Sequence, residues 1–387
     1  MRRPLSGPFA AIVFLGCGTV LLVAAFRFDT AWFDRHCALP CFWPPPSPSL
    51  HRAVLLGLAL AGSGCLAAAA IAPRVLARPG AVAAAARIAA ALGLAVLASE
   101  GVLRLLDGKT TIWRAPKIEF RIGKPDARYG WVLLPRRSTV VGPKNWRPVR
   151  YSIDGWRDRA ATVDHVPDLS RATILVAGES VAMGHGLEWP DTLAGVLERD
   201  LGIQVVNVAV GGYGTDQAAL RALDMLARLE HPVAVVQTFL PVQLQRNVQD
   251  YRPRLVLRDG SLVLAPAASG PFAGTRLRDL LVNELPVLWE DKLQESLAVT
   301  GAVVRDVAAK ARARGAKPLF LVPQIDSQRG LGWLVRTLFE DQGIPAVVAK
   351  IDSAHIMPYD GHPDAEATRA MAGLVERALG LQVHVAR

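Results

Sequence analysis

From residue 172 to residue 380 the chain alternates short apolar runs with helical segments, and few folds accept that alternation. ATILVAG (172–178) is continuously apolar and ends in glycine, the pattern of a strand buried on both faces. IQVVNVAV (203–210), VAVVQTFL (233–240), PLFLVP (318–323) and AVVAKI (346–351) also read as strands. Between and after them lie DTLAGVLERDLG (191–202), DQAALRALDMLARLE (216–230), residues 297–314, LGWLVRTLFEDQG (331–343) and AEATRAMAGLVERALG (365–380), which read as helices. Asp216 stands as the candidate N-cap of the second of these. Strands alternating with helices of this length predict an α/β fold with a parallel sheet covered on both faces. Residues 246–296 interrupt the alternation as an insertion. They contain RLVLRDGSLVLAP, two strand-like runs around Asp259–Gly260, a two-residue hairpin signal.

The first 106 residues follow another rule. Residues 8–26 and 53–73 carry no charged side chain, and 81–103 carries only Arg87 and Glu100. About 20 mostly apolar residues span a bilayer as a helix, so 1–106 is expected to be a membrane anchor of about three transmembrane helices. A cleaved signal peptide is the alternative for the first run, and a buried soluble helix for the third. Residues 107–171 read as a connector, with Trp113, Trp131, Trp146 and Trp156 taken mainly as packing residues, and 172–387 as the α/β domain.

Charge supports this partition. A net charge of +10 spread over one soluble domain would point to nucleic acid. Nine arginines against three acids instead place +6 of it in residues 1–106, so no nucleic-acid partner is expected and the lipid bilayer is. Hydrophobic residues make up 51% of the chain and charged ones only 20%, which excludes disorder. Arg2 and Arg3, and then Arg74 and Arg78, favour the cytoplasm. Three spans would then put the α/β domain in the periplasm, as part of a multi-pass protein of the cell inner membrane. Arg104, Lys109, Arg114 and Lys117 pull the other way. Cys37 and Cys41, in the loop after the first run, suit an oxidising side and a small disulfide, whereas Cys17 and Cys65 read as packing residues within apolar runs.

Sites in open parallel sheets lie outside the carboxyl ends of the strands. There the sequence places Gly178-Glu179-Ser180, then Asn207 to Gly214, then Pro241 to Asn247, then Asp360-Gly361-His362. These are parts for nucleophilic acyl transfer. Serine attacks only when a base takes its proton, and His362 is the candidate base because imidazole titrates near neutral pH. Asp360 is positioned to orient the ring. The backbone amides of Ser180 and Gly212 are candidate donors to a tetrahedral oxyanion. Ser180 as a mere helix cap, His185 as a loop residue or part of the site wall, His355 as an ordinary residue and Asp364 as the cap of the last helix are the competing readings. DGKT (107–110) is no phosphate loop, because Leu103 stands where a glycine is required. Neither a cofactor nor a metal is expected.

LVAGESVAMGHG, VNVAVGGYGTDQ and DGHPDAEATRAMAGLV together resemble the blocks of the SGNH/GDSL hydrolase family, with Glu179 in place of the usual Asp. YGWVLLP, SIDGWRD and the RPRLVLRDGSLVLAP hairpin resemble membrane-anchored bacterial members. The resemblance covers about 115–380. It implies a flavodoxin-like three-layer domain and a serine esterase with Ser180, Asp360 and His362 as its triad. It also implies an acylated carbohydrate or small ester as substrate, with acyl transfer as the variant outcome. The third block departs from the pattern. Val242 falls at the position of an oxyanion-hole Asn and Gln243 at the Asp that follows it, leaving Gln243, Gln245 or Asn247 to substitute. The rival reading is therefore a catalytically impaired SGNH domain that binds glycan or acts as a scaffold in the envelope.

Overall fold

The structure is a computed structural model. It describes residues 6–27, 48–76, 93–94, 96–104, 123–133, 137–141, 149–153, 167–270, 272–279, 282–283, 290–325, 330–358 and 361–381. The chain forms two compact units, Met1–Lys109 and Thr110–Arg387.

In the first unit, α1 (Ser6–Arg27) and α2 (Pro48–Leu76) contain the apolar runs 8–26 and 53–73. The two helices meet at glycines. A Cβ added to Gly18 would lie 2.9 Å from the Gly62 carbonyl oxygen, and one added to Gly62 would lie 3.0 Å from that of Gly18. Only residues without side chains allow backbones this close. Counting only the described residues, no helix is long and apolar enough to cross a membrane. Most of the expected span 81–103, most of the connector 107–171, Cys37 and Cys41 lie outside the described residues.

The second unit is built on a five-stranded parallel sheet. Its strands are β5 (Ala172–Ala177), β6 (Gln204–Asn207), β7 (His231–Thr238), β10 (Lys317–Ile325) and β11 (Ala346–Ile351). They lie in the spatial order β6-β5-β7-β10-β11, all pairs parallel. The order reverses between β5 and β7, and open α/β sheets carry their sites beside such a reversal. The helices are α3 (Ser180–Met183), α4 (Leu193–Leu201), α5 (Thr215–Leu226), α6 (Val242–Val248), α7 (Arg276–Asp279), α8 (Glu290–Ala313), α9 (Leu331–Leu338) and α10 (Ala365–Leu379). Because side chains alternate across a strand, Ile174 and Val176 join Val205, Val236 and Leu321 on one face, packed against Leu197 of α4 and Met371 and Val375 of α10. Leu175, Val206, Val235 and Phe320 take the other face, which α5 and α8 cover. Burial of each such side chain contributes about 1.5–3 kcal/mol.

Three two-stranded ribbons accompany the sheet: β1 (Gly123–Asp126) with β2 (Gly130–Leu133) and β3 (Arg137–Val141) with β4 (Val149–Ile153) precede it in sequence, and β8 (Arg254–Arg258) with β9 (Ser261–Ala265) lies in the insertion between β7 and β10. Asp259 and Gly260 both have positive φ, +50° and +76°, as a tight two-residue hairpin turn requires. The β1–β2 ribbon is tied to α5. Arg128 makes two hydrogen bonds to Asp224, at 2.7 and 2.9 Å, and the Tyr129 hydroxyl donates to the same carboxylate. Burial alone would raise the Asp224 carboxyl, but hydrogen bonds from Arg128 and Tyr129 outweigh it and hold it below the usual carboxylate range.

Asp216 is not the N-cap of α5. The helix begins one residue earlier, at Thr215, with Gly214 as its N-cap, and the Gln217 side chain accepts the Gly214 amide at 3.0 Å. Asp216 has another partner. Its carboxylate is fully buried and pairs with the guanidinium of Arg252, itself 2% exposed, through two bonds of 2.9 Å. Arg252 also donates to the carbonyls of Arg246 and Pro253, and Leu255 donates its amide to Asp216. The inserted segment is thereby locked to the start of α5. Removing one member of a buried pair leaves an uncompensated charge, which costs about 3–5 kcal/mol, whereas apolar replacement of both members is often neutral. Arg252→Ala should therefore lower the unfolding free energy of the chain by about 3–5 kcal/mol. Asp216→Leu with Arg252→Met should recover most of it. Urea denaturation followed by circular dichroism measures both, and an Arg252→Ala variant as stable as the wild type would contradict the account.

Candidate active site

Ser180 owes its position to the turn that follows β5. Gly178 has φ +148°, and a Cβ there would lie 1.9 Å from the hydroxyl oxygen of Thr238 at the end of β7. No other residue type fits that approach. Glu179 is the N-cap of α3 and accepts the Val181 amide at 2.8 Å, which leaves Ser180 as the first helical residue, not a cap. The Glu179 carboxylate is fully buried. Its second oxygen accepts from the Thr238 hydroxyl at 3.1 Å, and the Ser180 hydroxyl lies 3.0 Å from the first. Thr238 joins the site through the parallel pairing of β5 with β7, a tertiary contact that no local pattern announces.

His362 arrives from the far end of the chain. After β11 a short loop folds back on itself: the Met357 amide donates to the His362 carbonyl at 2.7 Å, and Gly361, at φ +77°, donates its amide to the Met357 carbonyl at 3.0 Å. The loop delivers the His362 Nε2 to 2.8 Å from Ser180 Oγ. Both residues are half-buried. The ring of His185, also half-buried, lies against that of His362 with centroids 4.5 Å apart, which makes it part of the site wall. Asp360 lies outside the described residues. Asp364 caps α10, accepting the amides of Glu366 and Ala367 at 2.9 Å, and its other oxygen contacts His355 Nδ1 at 3.2 Å. His355 thus belongs to the capping region of α10.

The second segment of the site follows β6. Asn207 holds it in place, donating to the Ala182 carbonyl at 2.8 Å and accepting the Ala209 amide at 3.0 Å. Gly212 lies on the loop beyond, at φ +76°. Neither the Gly212 amide nor the Ser180 amide is taken up by a backbone carbonyl among the described residues. The third segment differs from the expectation in one part. Asn247 is buried and engaged elsewhere: its side-chain amide donates to Thr300 at 2.7 Å and its oxygen accepts the Asp216 amide. Gln243 is fully buried. Its oxygen accepts the Leu240 amide at 2.9 Å, while its side-chain nitrogen has no hydrogen-bond partner among the described residues. Among the described residues no cluster of three His, Cys, Asp or Glu side chains is placed to hold a metal ion.

Chemically, the arrangement offers a hydroxyl in contact with an imidazole nitrogen that can take its proton, at the carboxyl edge of a parallel sheet. No protein-family model matches the chain, and no curated protein matches it. Solved structures similar to it include a carbohydrate acetylesterase family member from Sinorhizobium meliloti, at 16% identity over 54% of this chain and 100% of that one, with a TM-score of 0.32. An aryl esterase from M. smegmatis is 14% identical over 54% of this chain and 99% of that one, with a TM-score of 0.33. A family two carbohydrate esterase from Clostridium thermocellum is 13% identical over 57% of this chain and 68% of that one, with a TM-score of 0.34. At such values no residue role passes from those proteins to this one, and the roles assigned below come from this chain's own geometry.

Proposed function

We propose that the chain is a serine esterase that removes or transfers O-acyl groups on carbohydrate. The observation that carries this reading is the 2.8 Å contact between Ser180 Oγ and His362 Nε2. Serine hydroxyl is a weak nucleophile until a base accepts its proton. In the proposed reaction Oγ attacks the ester carbonyl carbon as its proton passes to His362 Nε2. The carbon–oxygen bond to the leaving alcohol then breaks, and the imidazolium returns the proton to that oxygen. Water, or a sugar hydroxyl, then attacks the acyl carbon as its proton passes to His362 Nε2; the bond from that carbon to Ser180 Oγ breaks, and the imidazolium returns the proton to Oγ. Asp360, two residues before His362, is assigned the role of orienting the ring and offsetting its charge.

The oxyanion is assigned to the amides of Ser180 and Gly212, with the Gln243 side-chain nitrogen as third donor. Gln243 is chosen because its side-chain nitrogen has no hydrogen-bond partner among the described residues, so it is uncommitted, and because Val242 has no polar side-chain atom to offer; being fully buried, that nitrogen must be uncovered as the substrate binds. Val242 is also what favours the second reading, a catalytically impaired domain that binds glycan or acts as a scaffold. Loss of one oxyanion donor costs about 10²–10³-fold in turnover. The discriminating experiment follows acetate release from acetylated xylo-oligosaccharides and p-nitrophenol release from p-nitrophenyl acetate by the full chain in detergent. The esterase reading expects turnover in the wild type and a loss of about 10³-fold or more in Ser180→Ala. Equal, background-level rates for the two proteins would favour the binding role instead.

Residues 1–106 are assigned as a membrane anchor. The charge-free runs 8–26 and 53–73 support it, as do large apolar side chains left exposed on both helices, among them Ile12, Leu15, Val20, Phe26 and Leu60. A glycine-mediated helix contact is also typical of packing in lipid. With Arg2, Arg3, Arg74 and Arg78 cytoplasmic, the esterase domain is assigned to the periplasm. A reporter that fluoresces only in the cytoplasm, fused after Arg387, should be dark; a bright fusion would reverse the orientation.

A further inference from the structure

The Gly212 amide belongs to the same peptide unit as the Gly211 carbonyl. That unit is planar and trans, so its N–H and C=O point in opposite directions and cannot turn independently. The carbonyl is held. The indole N–H of Trp131, on β2, donates to Gly211 O at 3.3 Å. The Trp131 carbonyl in turn accepts from the hydroxyl of Tyr213, and the two rings meet edge to face with centroids 5.4 Å apart. One residue of the ribbon therefore grips the chain on both sides of Gly212.

The ribbon is itself fixed. Arg128 and Tyr129 bind Asp224, and the Gln217 side chain donates to the Tyr129 carbonyl at 2.5 Å. At Gly130, φ is +83° and a Cβ would press to 3.2 Å from both Arg252 and Gln217, so the ribbon docks with little slack.

We infer that Trp131 is a positioning residue for the acyl-transfer site. It sets the rotation of the Gly211–Gly212 peptide, and its donation to the carbonyl polarises that peptide so that the Gly212 N–H becomes a stronger donor to the oxyanion. This rests on the esterase reading. A residue that acts only by packing fills space; one that acts through the oxyanion donor matters in proportion to the charge on the reacting oxygen.

The test compares p-nitrophenyl acetate with its thionoacetate analogue, whose sulfur is a poor hydrogen-bond acceptor. Wild type, Trp131→Phe and Ser180→Ala are assayed as full chains in detergent. Phenylalanine keeps an aromatic ring and removes the N–H. Trp131→Phe should lower kcat on the oxygen ester by about tenfold, a fraction of what loss of a whole donor costs, with KM held within about twofold. On the thionoester the same variant should stay within about twofold of wild type. If its melting temperature falls below the assay range, Tyr213→Phe, which frees the Trp131 carbonyl, replaces it with the same expectation. Equal losses on both esters, or none on either, in an active wild type overturn the inference alone. A wild type no faster than Ser180→Ala on both esters overturns the esterase reading and this inference with it.

Discussion

Ser180 and His362 stand 182 residues apart in sequence and 2.8 Å apart in space. Ser180 is held at the end of β5, next to the reversal of strand order, and His362 hangs from the loop after β11 at the sheet's edge. Two strands, β7 and β10, lie between them, so their parallel register fixes the distance across the edge. The tightest restraint is at Gly178, where the backbone passes so close to Thr238 that the turn can be made only without a side chain. That closeness also seats the Glu179 carboxylate between Thr238 and the nucleophile's helix.

A second tier of contacts steadies the loop that carries Gly212. The Asp216–Arg252 pair ties the start of α5 to the inserted segment, and Asn247 adds a bond to Thr300 on α8. Such a pair need not add net stability, because desolvation of both charges offsets their attraction. Its value is geometric: a bidentate guanidinium–carboxylate contact admits few orientations. The β1–β2 ribbon works on the same loop from outside, through Trp131 and Tyr213. The insertion and the connector, which the strand–helix alternation does not include, both end up supporting the site.

How much of this could be read from the sequence depends on the range of the interactions. The parallel sheet was legible because strands buried on both faces are largely apolar, as 172–177 is apart from Thr173; the edge strand 346–351 keeps the apolar run but exposes Lys350. The strand read over 203–210 is shorter, 204–207, because Asn207 turns the chain into the site loop. Asp216 has the chemistry of a helix cap, and nothing local reveals that Arg252, in the insertion, claims its carboxylate. Asn247 and Gln243 show the same limit. Both are buried amides near the third segment, and only the packing of α8 decides that Asn247 is committed elsewhere. The cap at Asp364, by contrast, is a local hydrogen-bond pattern and was legible as one.

The central claim is that contact with His362 makes Ser180 a nucleophile. The most direct measurement is covalent modification of the full chain by a fluorophosphonate at neutral pH, with the modified peptide identified by mass spectrometry. The expected result is a single adduct on Ser180, absent in Ser180→Ala and formed at least about 10³-fold more slowly in His362→Ala. An adduct that forms equally fast without His362, or a wild type that remains unmodified, would contradict the account.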